Sequence, residues 1–549
     1  MRSSNKLQTF APSNYELPTF VTGTAVAEYS QYLVDESRHR GRAEALVFPK
    51  NTAELAAAVK YAHDKNWEIT ASGARTGIAA GAVPEGGVLI SLERMNRVLS
   101  LTKDGKGHYI LRCQAGVILS EVRSLLSNGE AKGMGWSEAD KEMLREIAGQ
   151  HYFFPPDPTE TTATVGGIAA CNASGAHTFR YGPARPYIAG LTVVLADGSL
   201  VRLKRGEVQA DNNREFVVQH QDGREIPVKL PGYRQPSTKN AAGYYAEPAM
   251  DLVDLFIGSE GTLGVISEVD LKLIPAPETS SAAVLFFADE NQALAFVSAV
   301  RSRKDELGLE AIEYFGPNAL AFLRQNRAQN GAASGVPACL PDGAASAIYL
   351  DIGCSPEQIP EILTQVVKVG EDYGADPETC WSAHESSERD RLRLFRHALP
   401  EAVNHRLAEL QRISPHITKL GTDMAVPDSH LKTIIDLYRN KLKKAGLEYV
   451  IFGHIGDNHL HVNILPHDTA EYNLGKKLYL EFARRVVKMG GSPAAEHGIG
   501  KLKREFLELL VGKEGICEMR AVKQAFDPND LLGCGTLWNR VAIASYLCY

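Results

Sequence analysis

PPDPTETTATVGGIAACNASGAHTFRYGPARPYIAGLTVVLADG (155–198) is the stretch whose reading decides the fold. Gly166-Gly167 and Ser174-Gly175 frame a segment of small side chains. Small residues let a flat ligand lie directly on the backbone. Leu191–Leu195 and Leu200–Leu203 then flank Asp197-Gly198, a tight-hairpin signal. Upstream, Ala45–Pro49 reads as a short buried strand. Asn51 or Thr52 caps a helix to about Lys65, with Leu55, Ala58, Val59 and Ala62 on one face. Trp67–Ala71 and Gly87–Leu92 are strands around a glycine loop, Ser72–Gly81. A third glycine block, IGSEGTLGVI (257–266), leads into a strand closed by Pro275 and Pro277. The first loop opens no helix after its strand, so the dinucleotide fingerprint of a nicotinamide site is absent. Glycine-exposed N–H groups form an anion-binding nest instead. Three such loops point to one long, planar, phosphate-bearing ligand.

The 549 residues suggest three or four domains. Hydrophobic residues make 44% and charged residues 23%, the balance of a globular chain with a large core. The 59 basic against 66 acidic residues give −7, which argues against non-specific nucleic-acid binding. No apolar run reaches membrane-spanning length, and Met1–Tyr15 lacks the apolar core of a signal peptide. A cytoplasmic location is expected, with peripheral membrane contact open. The eight cysteines form no C-x-x-C pair, which disfavours zinc ribbons and iron–sulfur clusters and fits reduced thiols.

Past Pro277 the pattern changes. Strands at Ala283–Phe287 and Ala347–Ile352 alternate with helices at 291–304, 357–373 and 428–445. From 448 the chain reads strand, turn, strand, helix (471–489), then Glu496-His497-Gly498 and a last helix ending near Asp527-Pro528. The fold class is α+β.

The blocks at 71–98, 155–198 and 239–275 resemble the FAD-binding domain of the vanillyl-alcohol oxidase and para-cresol methylhydroxylase superfamily. Over about residues 41–535 the chain is similar to its branch of FAD-dependent D-lactate, glycolate and D-2-hydroxyglutarate dehydrogenases. The resemblance implies a two-subdomain FAD-binding domain at 41–278, with insertions near 126–153 and 203–235. A cap domain with an antiparallel sheet follows at 279–465, and a C-terminal helical segment, 466–549, returns to the FAD domain. Residues 1–40 are an N-terminal extension in this scheme. The resemblance places Gly73, Arg75, Thr76 and Gly77 near the pyrophosphate. It places Gly166, Gly167, Asn172, Ser174 and Gly175 along the flavin or its diphosphate, with Asp157, Thr164, Tyr181 and Gly182 close by. Glu260, Gly261 and Ile266 fall on the adenosine–flavin path. The first loop has no histidine, so non-covalent FAD is expected. Gly533-Cys534-Gly535-Thr536 stands where the family usually has N-P-G-K, which leaves no flavin contact assigned there.

The densest chemistry is GHIGDNHLHVN (453–463). Gly456-Asp457-Asn458 makes a turn after the YVIF strand. In the next strand His459, His461 and Asn463 share one face, and Leu460, Val462 and Ile464 the other. A single histidine would be an ordinary hydrogen-bonded residue. Three within eight residues, with Glu496 later, suit a divalent ion such as zinc. The resemblance implies His454, His461 and Glu496 as metal ligands and His497 as general base. His459 stands where many relatives have asparagine, as an extra ligand or a substrate contact. Arg396 resembles the family residue that clamps the substrate carboxylate, Lys419 is a weaker match whose spacing to Pro427 departs from the family's, and Asn463 is a further candidate substrate contact.

The chemistry explains the need for help. A neutral imidazole has a pKa of about 6.5. An alcohol resembling water, at roughly 15.7, lies about nine units higher, or about 12 kcal/mol. Histidine alone is too weak a base for a free alkoxide. A Lewis acid on the hydroxyl, or proton loss concerted with hydride transfer, closes the gap. The resemblance implies oxidation of a D-2-hydroxy acid to its 2-oxo acid as the activity. The acceptors left open are a quinone, a cytochrome, an electron-transfer flavoprotein and oxygen, and a homodimer is possible. The competing readings are a non-redox transferase resembling alkylglycerone-phosphate synthase and a flavin electron-relay subunit.

Overall fold

The computed structural model describes residues 4–12, 16–131, 135–338 and 340–539. Ala45–Val47, Val88–Ser91 and Ile69–Ser72 form a small parallel sheet edged by Phe20–Thr22. The Thr52–Asp64 helix covers it; the Asn51 side chain accepts from the Glu54 amide, and Leu55, Ala58, Val59 and Ala62 are fully buried. That apolar stripe at helical spacing is the face the sequence predicted.

The second sheet has eight strands, in the order Glu225–Lys229, Glu215–Gln219, Lys6–Phe10, Leu200–Lys204, Ile188–Val194, Val265–Lys272, Tyr109–Gln114 and Val98–Lys103. The Asp197-Gly198 turn joins the expected hairpin, with Gly198 at φ 82°. Two stretches outside the expected domain core join this sheet. Within the N-terminal extension, Lys6–Phe10 is an interior strand that buries Leu7 and Thr9. The stretch 203–235, expected as an insertion, supplies the outer hairpin Glu215–Gln219/Glu225–Lys229 around Gly223, and that hairpin pairs with Lys6–Phe10. The 126–153 region carries the Glu138–Gly149 helix, whose Leu144 and Ile147 join the same core.

The cap is an antiparallel sheet ordered Trp381–Ala383, Thr279–Phe287, Ser346–Cys354, Leu309–Phe315, Tyr449–His454, His459–Ile464 and Leu420–Gly421. Alternation along Thr279–Phe287 shows its two sides. Ala283, Leu285 and Phe287 pack under the helices Glu290–Ser302, Ile359–Asp372, Leu431–Ala445 and Thr469–Lys488. Ala282, Val284 and Phe286 pack under Pro317–Asn330 and the 28-residue helix Ser386–Ile413. The C-terminal segment expected from 466 divides. Its first helix lies in the cap core, whereas Arg504–Phe526 packs on the FAD-side core through Leu507, Ile516, Met519 and Val522. Leu532 then bridges Ile69 in the parallel sheet. Cys113, Cys171, Cys354, Cys380 and Cys534 are free thiols. Among the described residues no helix is long and apolar enough to cross a membrane.

Candidate functional site

The hairpin Tyr449–His454/His459–Ile464 sets the histidines. Its register puts His454 opposite His459 and Phe452 opposite His461. The His454, His459 and His461 rings lie 4.6–5.5 Å apart, centroid to centroid. The loop after Ser492 brings in Glu496, and the ligand atoms of His454, His459, His461 and Glu496 all fall within 4.8 Å of one another.

Asp423 holds that loop. Its buried carboxylate accepts the Glu496 and His497 amides, each at 3.0 Å, and the Lys503 ammonium at 2.7 Å. The Nδ1 atom of His497 lies 3.4 Å from it, and the His497 ring stacks on His461. Burial alone would raise the Asp423 carboxyl; His497 and Lys503 outweigh it and hold it well below the usual range. Glu260 fixes the next turn by accepting from Ile499 and Gly500 at 2.8 and 2.7 Å. Burial pushes Glu260 up to about 6.

Lys239 lies 2.7 Å from Glu496 Oε2. Burial would raise Glu496, but Lys239 and His454 keep it well below the ordinary carboxylate value. Burial and the adjoining His459 and His454 push His461 well below an ordinary imidazole, so it is neutral. A neutral imidazole and an anionic carboxylate are donors a divalent cation accepts. His459 is fully buried. Its Nε2 lies 3.1 Å from Asp423 and its Nδ1 3.4 Å from Glu496, yet neither contact is aligned as a hydrogen bond.

One cavity of about 1160 Å³ unites these groups with the glycine loops. Gly73, Arg75, Thr76, Gly77, Thr164, Gly166, Gly167, Ser174, Glu260, Gly261 and Ile266 line it on one side. Arg396, Lys419, Asn463, His454, His461, Glu496 and His497 line the other. The glycines of these loops differ. A Cβ at Gly73, Gly166 or Gly175 would collide with Thr164, Ala115 or Asp157, so those glycines serve packing. At Gly77 and Gly261 it would meet nothing within 4 Å, so there the backbone itself faces open space. Ser174 Oγ and Asn463 Nδ2 are buried on the wall without a hydrogen-bond partner. Such orphaned polar atoms call for a ligand. Lys419 opens into the cavity, yet it is deep enough that desolvation lowers its pKa.

Other expected residues lie off the wall. Asp157 pairs with Arg123 at 2.8 Å, and its carbonyl packs on Gly175. Asn172 is the left-handed cap of the Val165–Cys171 helix and accepts the Arg185 amide. Tyr181 donates to Glu310 in the cap, and Gly182 ends its helix. None of these, nor Gly175, lines the cavity, and the side-chain polar groups of Asp157, Asn172 and Tyr181 are engaged within the protein. His459 likewise is fully buried and does not line the cavity. Sequence reasoning missed Lys239, Asp423 and Glu313, whose Oε1 lies 2.6 Å from His454 Nδ1. Their partners are 257, 73 and 141 residues away, respectively, so no local spacing could reveal them.

Comparison with known proteins agrees in extent. A profile described as FAD binding domain matches residues 43–139 and 133–204, and one described as FAD linked oxidases, C-terminal domain, matches 276–537. The chain is 28% identical over 508 residues to a D-lactate dehydrogenase of Anaerostipes hadrus, covering 91% of this chain and 90% of that protein. It is 26% identical to a glycolate oxidase subunit of Bacillus subtilis, covering 92% and 91%. It is 27% identical to a D-2-hydroxyglutarate dehydrogenase of Stutzerimonas stutzeri, covering 92% and 94%. A solved alkyldihydroxyacetonephosphate synthase superposes with a TM-score of 0.60 at 16% identity, over 94% of this chain and 81% of that one, a likeness of fold alone.

Proposed function

Because this chain belongs to the FAD-linked oxidases, we propose that it oxidises a D-2-hydroxy acid to the 2-oxo acid, with the chemistry set inside the one shared cavity. The observation that carries this reading is the cavity wall itself. Bare backbone at Gly77 and Gly261 faces the same space as Arg396, His497 and the histidine–glutamate cluster.

FAD, when bound along the glycine loops, supplies the two-electron acceptor for the hydride from C2. Arg396 binds the substrate carboxylate, for which a guanidinium has matching paired donors. Lys419 adds a second positive charge nearby, and Asn463 Nδ2 a donor. His497 Nε2 takes the hydroxyl proton, while Asp423 beside Nδ1 orients the ring and steadies the imidazolium that forms. His454, His461 and Glu496, with His459 behind them, would hold a divalent ion, zinc by the character of these donors, and it would supply Lewis acidity to a hydroxyl. Lys239 balances the remaining charge of Glu496.

The test is His497→Ala. The variant keeps bound FAD but loses anaerobic flavin reduction by D-lactate or D-2-hydroxyglutarate by about two orders of magnitude or more. Undiminished single-turnover reduction removes His497 from the mechanism.

A further inference from the structure

Arg396 poses a problem that its surroundings answer. Its guanidinium side chain is 13% exposed, lines the cavity, and makes no hydrogen bond among the described residues. Three carboxylates nevertheless surround it. Glu313 is 3.8 Å away, and Asp351 and Asp157 are close enough to act on its charge. An unopposed carboxylate at that range would draw the guanidinium into a bidentate pair.

Each carboxylate is already engaged. Glu313 is held by His454. Asp157 is held by Arg123 at 2.8 Å and has His177 Nδ1 at 3.4 Å. Asp351 accepts from Tyr349 at 2.7 Å and from His177 Nε2 at 3.3 Å. One imidazole therefore serves two carboxylates, one from each ring nitrogen. Only the imidazolium has a donor on both sides. His177 precedes the Thr178–Tyr181 helix of the FAD-side domain, and Asp351 lies on the central cap strand Ser346–Cys354. The pair therefore also crosses between the two domains.

We propose that His177 is a positioning residue, which, by standing as a cation between Asp157 and Asp351, leaves the Arg396 guanidinium free for a substrate carboxylate. The inference rests on the reading of Arg396 as the carboxylate clamp. The groups facing His177 are Asp157 from the 155–158 loop, Asp351 and Glu310 from two cap strands, and Tyr181 from its own helix. Arg123 stands behind Asp157 and Arg396 behind Asp351. Burial works against the proton, but Asp351 and Asp157 outweigh it and raise His177 to about 9. Below that pH the cation is present. Above it both carboxylates compete for Arg396, and substrate affinity falls while the rate of the chemical step holds.

The experiment is anaerobic flavin reduction of the holoenzyme by D-lactate and by D-2-hydroxyglutarate, from about pH 7 to about pH 10. The wild type is expected to show a KM that rises as pH passes about 9. His177→Gln has a KM about tenfold higher at neutral pH, the scale of one charge-assisted hydrogen bond, with FAD content and limiting rate retained and a flat pH profile. His177→Lys restores the low KM and moves the alkaline rise upward. A wild-type KM indifferent to this pH range overturns the proposal, even where the glutamine variant does not fold. So does His177→Gln with wild-type KM, or with FAD and limiting rate lost together. Arg396→Met separates the two readings. If its KM is unchanged, the clamp itself is wrong. If its KM rises while His177→Gln stays as wild type, only the role of His177 falls.

Discussion

Asp423→Asn tests the geometry most directly, because one residue absent from any motif holds both Glu496 and His497. The carboxylate oxygens of Asp423 take two backbone amides at 3.0 Å and the Lys503 ammonium at 2.7 Å, at a position with no solvent exposure. Asparagine has one acceptor oxygen. Whichever way its amide turns, an NH2 group faces at least one of those donors. A buried N–H without an acceptor costs roughly 1–3 kcal/mol. Removing the anion also strips the buried Lys503 of its counter-charge, which brings the total to about 3–5 kcal/mol. The loss is local, since Asp423 bonds the loop rather than the cap core. Amide exchange at Glu496 and His497 should therefore accelerate by roughly two to nearly four orders of magnitude while the core strands stay protected. Flavin reduction by D-lactate or D-2-hydroxyglutarate should slow by about two orders of magnitude, because His497 loses both its orientation and its anionic partner. Wild-type reduction together with unchanged exchange at residues 496 and 497 would refute the argument.

Exhaustive chelation should abolish flavin reduction while FAD stays bound, with recovery on adding zinc; His461→Ala should lower bound metal measured by elemental analysis, and full activity in a metal-free preparation would sink the ligand assignment. Gly77→Val should empty the protein of FAD, read by absorbance, while the unfolding midpoint of the apoprotein is unchanged, because its Cβ meets nothing within 4 Å. Gly175→Ala should do the reverse and destabilise the apoprotein by roughly 1–3 kcal/mol, since its Cβ would lie 1.7 Å from the Asp157 carbonyl oxygen.

Elements with a local physical signature were legible. The capped helix at Thr52–Asp64, the hairpin around Asp197-Gly198 and the alternation of His459, His461 and Asn463 follow from side-chain periodicity and turn chemistry, which act between near neighbours. Lys6–Phe10 was not legible, because a five-residue strand whose partners lie about 200 residues on carries no signal until they arrive.

By itself, the sequence determined the inventory: glycine blocks with small side chains, a histidine hairpin, a Glu-His pair and an arginine on a helix. Tertiary structure alone decided which of these share a cavity. It set Glu496 beside His454 and placed Asp423 under His497. It buried His459 behind the wall and turned Asp157 and Tyr181 into framework. The physical reason is that a buried charge is tolerable only next to its partner. Partners such as Lys239 and Glu496, or His177 and Asp351, meet only when distant strands and loops close around one space.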